Sequence, residues 1–347
     1  MLVHGSPGDG RSWVRVIPLL ADRFHVMAVD LPGYGRSDPL PEHETNRTAA
    51  MGATVSVLIE SFSEPVRLCG HSYGGNVALH AAIHRPATVK HLTLLEPVAF
   101  RALKLADDRH TLAAATQFFS SYTDRVTGGE TDAVSDMIDF WFGRGSFSKL
   151  PSAVQAYLKA SAAKNGVDVR ASLSETTTCA ELRTLTGPAT VAYGDASPAT
   201  AAAIARALAR LLPNSETCTV AGAAHGMLDT HPAGPERIFT IPLRPGYDGR
   251  DGGGDVAVGR SERPAAARPA RRASGGARGR RHRPEHAGVA LRLDRVAARA
   301  RRAGALHERA VCGQRGDVEH PAAAARGRRG AARVRGELGA ASLRRRG

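Results

Sequence analysis

Gly70-His71-Ser72-Tyr73-Gly74-Gly75 constrains this chain more than any other stretch. A serine flanked in the pattern G-x-S-x-G needs a strand before it and a helix after it. Both are written here: the apolar run PVRLC (65–69) leads in, and NVALHAAIH (76–84) reads as a helix. The turn between them forces Ser72 into strained backbone angles, and a side chain at 70 or 74 would collide across it. That strain lifts the Ser72 hydroxyl above the carboxyl edge of a sheet, where a substrate can reach it.

The surrounding pattern agrees. Residues 1–240 alternate short apolar runs with helix-length segments, which predicts an α/β fold with a mostly parallel sheet and helices on both faces. Strands are expected at 2–4, 24–30, 66–70, 91–95, 189–193 and 216–221. Helices are expected at 12–21, 47–61, 73–84, 198–212 and 232–239. Between residues 101 and 186 there is no strand signal, and aromatic residues cluster in TQFFSSY and MIDFWFGRGSF. This predicts a helical cap (101–186) inserted in a core made of 1–100 and 187–242, with Phe118, Phe119, Phe140, Trp141 and Phe142 lining an apolar pocket.

With the elbow go four further stretches in matching order: His4-Gly5-Ser6-Pro7-Gly8, VDLPGYGRSD (29–38), LLEPV (94–98) and GAAHGMLDTHP (222–232). Together they resemble the α/β-hydrolase superfamily over about residues 1–235. The resemblance implies Ser72 as nucleophile and His225 as the base that takes its proton and returns it to the leaving group. It also implies an oxyanion hole from the backbone N–H groups of Ser6 and Tyr73. The loop at 30–37 is assigned a structural role. His71, His84, His91 and His231 fit the base position less well than His225; His71 is expected to point away from its serine.

The acid has two candidates. In the common family pattern it stands three residues beyond the glycine ending the seventh strand, but here Ser197 holds that place and Asp195 directly follows Gly194. Glu96, at the end of HLTLLEP, stands where some members carry their acid, next to a stiffening proline. Glu96 is favoured and Asp195 stays open. Asp229 is too close in sequence to His225 to reach around its ring.

The expected chemistry is hydrolysis of a carboxylic ester or related acyl substrate, of small to medium apolar type, through a Ser72 acyl-enzyme. Epoxide hydrolases and haloalkane dehalogenases of the fold use an aspartate nucleophile, which Ser72 argues against. Carbon–carbon bond hydrolases, thioesterases, lactonases and cofactor-free haloperoxidases keep the same residue set and remain alternatives. No cofactor is expected. The four cysteines (69, 179, 218, 312) stand far apart without CxxC or histidine spacing, so neither a disulfide framework nor a metal site is expected. No apolar run reaches the ~18 residues that span a bilayer, and no signal segment opens the chain, so a cytoplasmic protein is the expectation.

Of the 347 residues, the last 105 hold 26 arginines, no lysine and ten acidic groups, a net +16, while residues 1–242 carry −2. After Asp248 there is no Phe, Ile, Lys, Met, Asn, Thr, Trp or Tyr. So few large apolar groups cannot offset the entropy of ordering a backbone, so 243–347 is expected to be a disordered basic tail. Without stacking aromatics or lysines it argues against a nucleic-acid arm. Six of the missing types, Phe, Ile, Lys, Met, Asn and Tyr, have AT-rich codons, as in a high-GC gene read out of frame after about residue 240. Together with a start inside the HG strand, which two strands precede in the family, this makes a non-catalytic product of a damaged gene the competing expectation.

Overall fold

The computed structural model describes residues 1–41 and 44–240, and the backbone of Val256–Val258. Seven strands form one sheet: β1 (Leu2–Val3), β2 (Ala28–Val29), β3 (Val66–His71), β4 (Val89–Leu95), β5 (Ala189–Gly194), β6 (Ser215–Val220) and β7 (Val256–Val258). Their order is β2-β1-β3-β4-β5-β6-β7, and every neighbouring pair is parallel. β7 falls inside the stretch expected to lack structure; the rest of that tail lies outside the described residues.

Helices follow the strands: α1 (Ile17–Leu20), α2 (Arg47–Glu60) and α3 (Tyr73–His84). Six more, α4 (Phe100–Leu105), α5 (Arg109–Thr127), α6 (Val134–Phe142), α7 (Ser152–Ala160), α8 (Ala162–Leu173) and α9 (Cys179–Arg183), lie between β4 and β5. α10 (Ala199–Leu211), α11 (Met227–Thr230) and α12 (Ala233–Phe239) complete the chain's described helices. The helix expected at 12–21 is broken into a 3-10 turn at Gly10–Trp13 and the short α1. Pro18 explains the break, since it offers no N–H and its ring collides with a preceding helical turn. The strand expected at 24–30 pairs only at Ala28–Val29, on the sheet's edge.

Alternation along the strands divides the core in two. Val3, Leu68, Leu94 and Val191 join one buried cluster with residues of α2, α3 and α10. Their neighbours Leu2, Cys69, Leu95 and Ala192 join the other, with Trp13, Leu20, Ile238 and Phe239. Successive side chains of a strand point to opposite faces, so a parallel sheet covered on both sides must be apolar at both parities. The insertion shares the first cluster through Phe100, Phe119, Val134, Trp141 and Leu158, so its helices are packed onto the core.

Candidate active site

β3 ends at His71 and α3 begins at Tyr73, leaving Ser72 as the single hinge residue with φ 54° and ψ −124°. An L-residue rarely accepts such angles, and they persist only where the surroundings dictate them. A Cβ at Gly70 would stand 2.2 Å from the Gly74 carbonyl oxygen, and one at Gly74 would stand 2.2 Å from that of His4. The glycines at 70 and 74 are therefore demanded by contact, while the strained angles belong to Ser72. Gly5 has the same origin: a Cβ there would lie 2.9 Å from Ser72 Cβ. The loop after β1 thus runs directly against the serine.

His225 comes from the loop after β6. Its Nε2 lies 2.9 Å from Ser72 Oγ, and its Nδ1 lies 2.6 Å from Glu96 Oε2. Glu96 sits just past β4 with φ 45°, a second strained residue at the sheet's carboxyl edge. Its other oxygen accepts from Gly194 N–H at 2.7 Å and from the Ser197 hydroxyl at 2.5 Å. Burial alone would raise the Glu96 pKa, but the bond and charge of His225, with Ser197 and Gly194, outweigh it and hold the carboxyl below its usual value. Ser72, Glu96 and His225 are all buried.

Asp195 lies outside the hydrogen-bonded line of Ser72, His225 and Glu96. Its Oδ1 accepts from the Gly222 backbone N–H at 2.6 Å, tying the β5 turn to the β6 turn. A residue that follows the strand-ending glycine directly is committed to that turn; Ser197, two further on, is the one whose side chain meets Glu96. Asp229 is solvent-exposed and faces Arg15. His71 is partly buried beside His225: its Nε2 donates to the His225 carbonyl oxygen at 2.9 Å, and the two rings are 4.9 Å apart. Burial, then the nearby His225, push the His71 pKa down to about 3, so its ring is neutral.

Ser6 and Tyr73 flank the serine on either side, Ser6 on the loop after β1 and Tyr73 as first residue of α3. Within the described residues neither backbone N–H has an acceptor inside the protein, as the first N–H of a helix must lack one. Both residues line a cavity of about 210 Å³ that also contains Ser72 and His225. Most of its apolar wall comes from the helices between β4 and β5, through Phe100, Phe119, Met137, Ile138, Trp141 and Leu158. Of the aromatic residues expected to line it, Phe119, Trp141 and Phe142 do so. Phe118 and Phe140 instead stack on each other behind them, rings 4.6 Å apart. Trp141 lies nearly parallel over the His225 imidazole at 4.6 Å, and Phe142 meets the same ring edge-on at 5.6 Å.

Two features escaped the sequence. Ser197 stood in the acid's usual place, and its hydroxyl donates to Glu96. Tyr34, inside the loop assigned a structural role, reaches the Ser6 hydroxyl. Among the described residues, no cluster of three or more His, Cys, Asp or Glu could hold a metal ion, and no helix is long and apolar enough to cross a membrane.

A family model described as the alpha/beta hydrolase fold matches residues 1–232. The chain belongs to this family. Among curated proteins it is 28% identical to a fluoroacetate dehalogenase of Burkholderia sp over 169 residues, 46% of this chain and 56% of that protein. It is 37% identical to a pimeloyl-acyl-carrier-protein methyl ester esterase of Methylococcus capsulatus over 95 residues, 27% of this chain and 35% of that enzyme. The chain thus spans about half or less of these relatives' length. Among solved structures, a bromoperoxidase from Bacillus anthracis matches with TM-score 0.53 at 21% identity, covering 68% of this chain and 88% of that one, a likeness of fold.

Proposed function

We propose that the chain is a serine hydrolase that cleaves carboxylic esters of small, apolar type through a Ser72 acyl-enzyme. The observation that carries this reading is the unbroken hydrogen-bonded line Ser72 Oγ–His225–Glu96, opening on an apolar cavity. His225 Nε2 takes the Ser72 proton as Oγ attacks the ester carbonyl, and the imidazolium is stabilised by Glu96. The carbonyl oxygen, now an oxyanion, accepts from the N–H groups of Ser6 and Tyr73, each worth about 3–4 kcal/mol in comparable sites. Collapse of the tetrahedral species passes the proton from His225 to the leaving alcohol. Water then repeats the sequence on the acyl-enzyme and frees the acid.

A nucleophile of this kind distinguishes ester cleavage from dehalogenation. Displacement of a halide by serine would leave an alkyl ether, which a water molecule cannot cleave at this site. An aspartate would leave a hydrolysable ester. The relative named as an esterase supports the acyl reading, and the cavity, smaller than the ~300–1,000 Å³ of most ligand sites, supports a small substrate. The test is hydrolysis of short-chain p-nitrophenyl esters by the wild type and by Ser72→Ala, with circular dichroism of both. Turnover in the wild type that vanishes in a folded variant is expected; a fully active Ser72→Ala removes the reading.

A further inference from the structure

The floor of the cavity holds a polar chain whose bonds all run toward Asp168. Tyr34 donates its hydroxyl proton to Asp168 Oδ2, and Arg47 Nε donates to Asp168 Oδ1 at 2.9 Å. A carboxylate only accepts, so the Tyr34 proton is committed. The 2.9 Å contact between Ser6 Oγ and the Tyr34 oxygen must then be donated by Ser6. Ser6 Oγ accepts in turn from Asn165 Nδ2 at 3.0 Å, and Asn165 Oδ1 accepts from the Tyr122 hydroxyl at 2.7 Å. Turning the Asn165 amide over would set two acceptors at the Ser6 proton and leave the Ser6–Tyr34 contact without one, so the network itself fixes the amide.

Its inner members are buried, with Asn165 and Tyr122 2% exposed and Asp168 0%, while Ser6 and Arg47 are partly exposed. Burying that many polar groups is costly unless every bond is made, and a fully made network locks its members in place. This one joins three parts of the fold through two residues of α8, Asn165 and Asp168. Tyr122 and Asn165 come from α5 and α8 of the insertion, Arg47 from α2 of the core, and Ser6 from the loop that abuts Ser72.

We propose that Asn165 is a positioning residue through which the inserted helices set the oxyanion donor at Ser6. Resting on the serine-hydrolase reading above, this makes the substrate-covering helices and the oxyanion hole one mechanical unit. The Ser6 side chain is gripped from both sides, so its backbone N–H is aimed before the substrate arrives. Displacing the inserted helices breaks the grip and misaims the donor.

The test uses an aryl trifluoromethyl ketone beside the p-nitrophenyl ester. Ser72 Oγ adds to the ketone carbon, the C=O electron pair moves onto oxygen, and His225 keeps the proton, so affinity reports the oxyanion hole. Asn165→Leu is expected to lower kcat and ketone affinity together by about 10–100-fold, with KM changed less than about threefold. The decisive comparison is a double-mutant cycle. In a Ser6→Ala background, which keeps the N–H but removes Oγ, Asn165→Leu should cost less than about twofold more. Tyr122→Phe removes one hydroxyl and carries the same prediction at about 3–10-fold, should the leucine variant not fold. Equal losses in both backgrounds, or a raised KM with unchanged ketone affinity, overturn the proposal. A wild type that forms no ketone adduct at Ser72 ends the hydrolase reading and this inference with it. An adduct with an additive cycle ends the inference alone.

Discussion

Glu96 Oε2 and His225 Nδ1 lie 2.6 Å apart although 129 residues of chain separate them, while Asp195 spends its carboxylate on the Gly222 N–H. Glu96→Gln keeps the shape of the side chain and removes the charge that stabilises an imidazolium. The matching change in a protease triad lowers turnover by ~10⁴, so a loss of at least ~10² in kcat/KM for a short aryl ester is expected. Asp195→Asn is expected to cost less than about threefold, since it leaves an amide oxygen for the same N–H. The reverse ranking would transfer the role to Asp195.

Ser197 offers a sharper version of that experiment. Its hydroxyl already touches Glu96 Oε1 at 2.5 Å, and it stands three residues past Gly194, where the family's more common acid is found. In a Glu96→Gln background, Ser197→Asp returns one carboxylate to the neighbourhood of His225 without crowding it against a second. Recovery of at least about tenfold of the lost kcat/KM is expected. Ser197→Asp alone places two carboxylates together and is expected to lower activity and thermal stability. A double variant no better than Glu96→Gln would show that the two positions do not share one function.

Much of this was legible in the sequence because a few residues have no alternative. Gly70, Gly74 and Gly5 leave room where a Cβ would meet backbone or Ser72, and the parity of Leu2–Val3, Leu68–Cys69 and Leu94–Leu95 serves two apolar faces. α3 begins and ends where the pattern predicts, at Tyr73 and His84. What stayed hidden depends on partners distant in the chain. Asp195 and Glu96 are both acids at strand ends, and only the pairing of β4 with β5 shows which one meets His225. The Ser6–Asn165 bond joins residues 159 apart, and nothing local in LKASAAKNGVD marks Asn165 as more than a polar position on a helix. α1 was shortened by a single proline that a periodicity reading passes over.

Trp141 is expected to act on turnover through His225. Its ring lies 24° from parallel with the imidazole, and it is itself stacked on Phe119 at 5.5 Å. Aromatic pairs contribute about 0.5–1.5 kcal/mol beyond their area, so Trp141→Leu should lower kcat by roughly 2–10-fold through a looser base. Trp141→Phe should retain most of it. Steady-state kinetics with the p-nitrophenyl ester separates this from plain pocket lining. A rise in KM with kcat untouched would mean that the ring only holds substrate.

His91 and His71 are expected to contribute to the response of the fold to acid. Burial, then the charge of Arg67, lower the pKa of His91 from 6.5 to about 4; burial, then His225, lower that of His71 to about 3. The unfolded chain therefore binds protons first, near pH 6.5, and the native state binds them only well below. Stability contributed by keeping these rings neutral is complete above about pH 6.5 and drains away as pH falls toward 4 and then 3. Each such group adds a slope of up to ~1.4 kcal/mol per pH unit within its window. His91 is the cleaner probe, since it lies on β4 away from Ser72 and bonds only Thr190 Oγ1 among the described residues, at 3.0 Å. His91→Leu replaces a ring that must stay neutral with a side chain that cannot titrate. Urea unfolding between pH 7 and pH 4 is expected to show a shallower loss of stability in this variant than in the wild type, with ester turnover at pH 7 preserved. Parallel stability curves for the two proteins would mean that His91 is not protonated on unfolding, and that the acid sensitivity lies elsewhere.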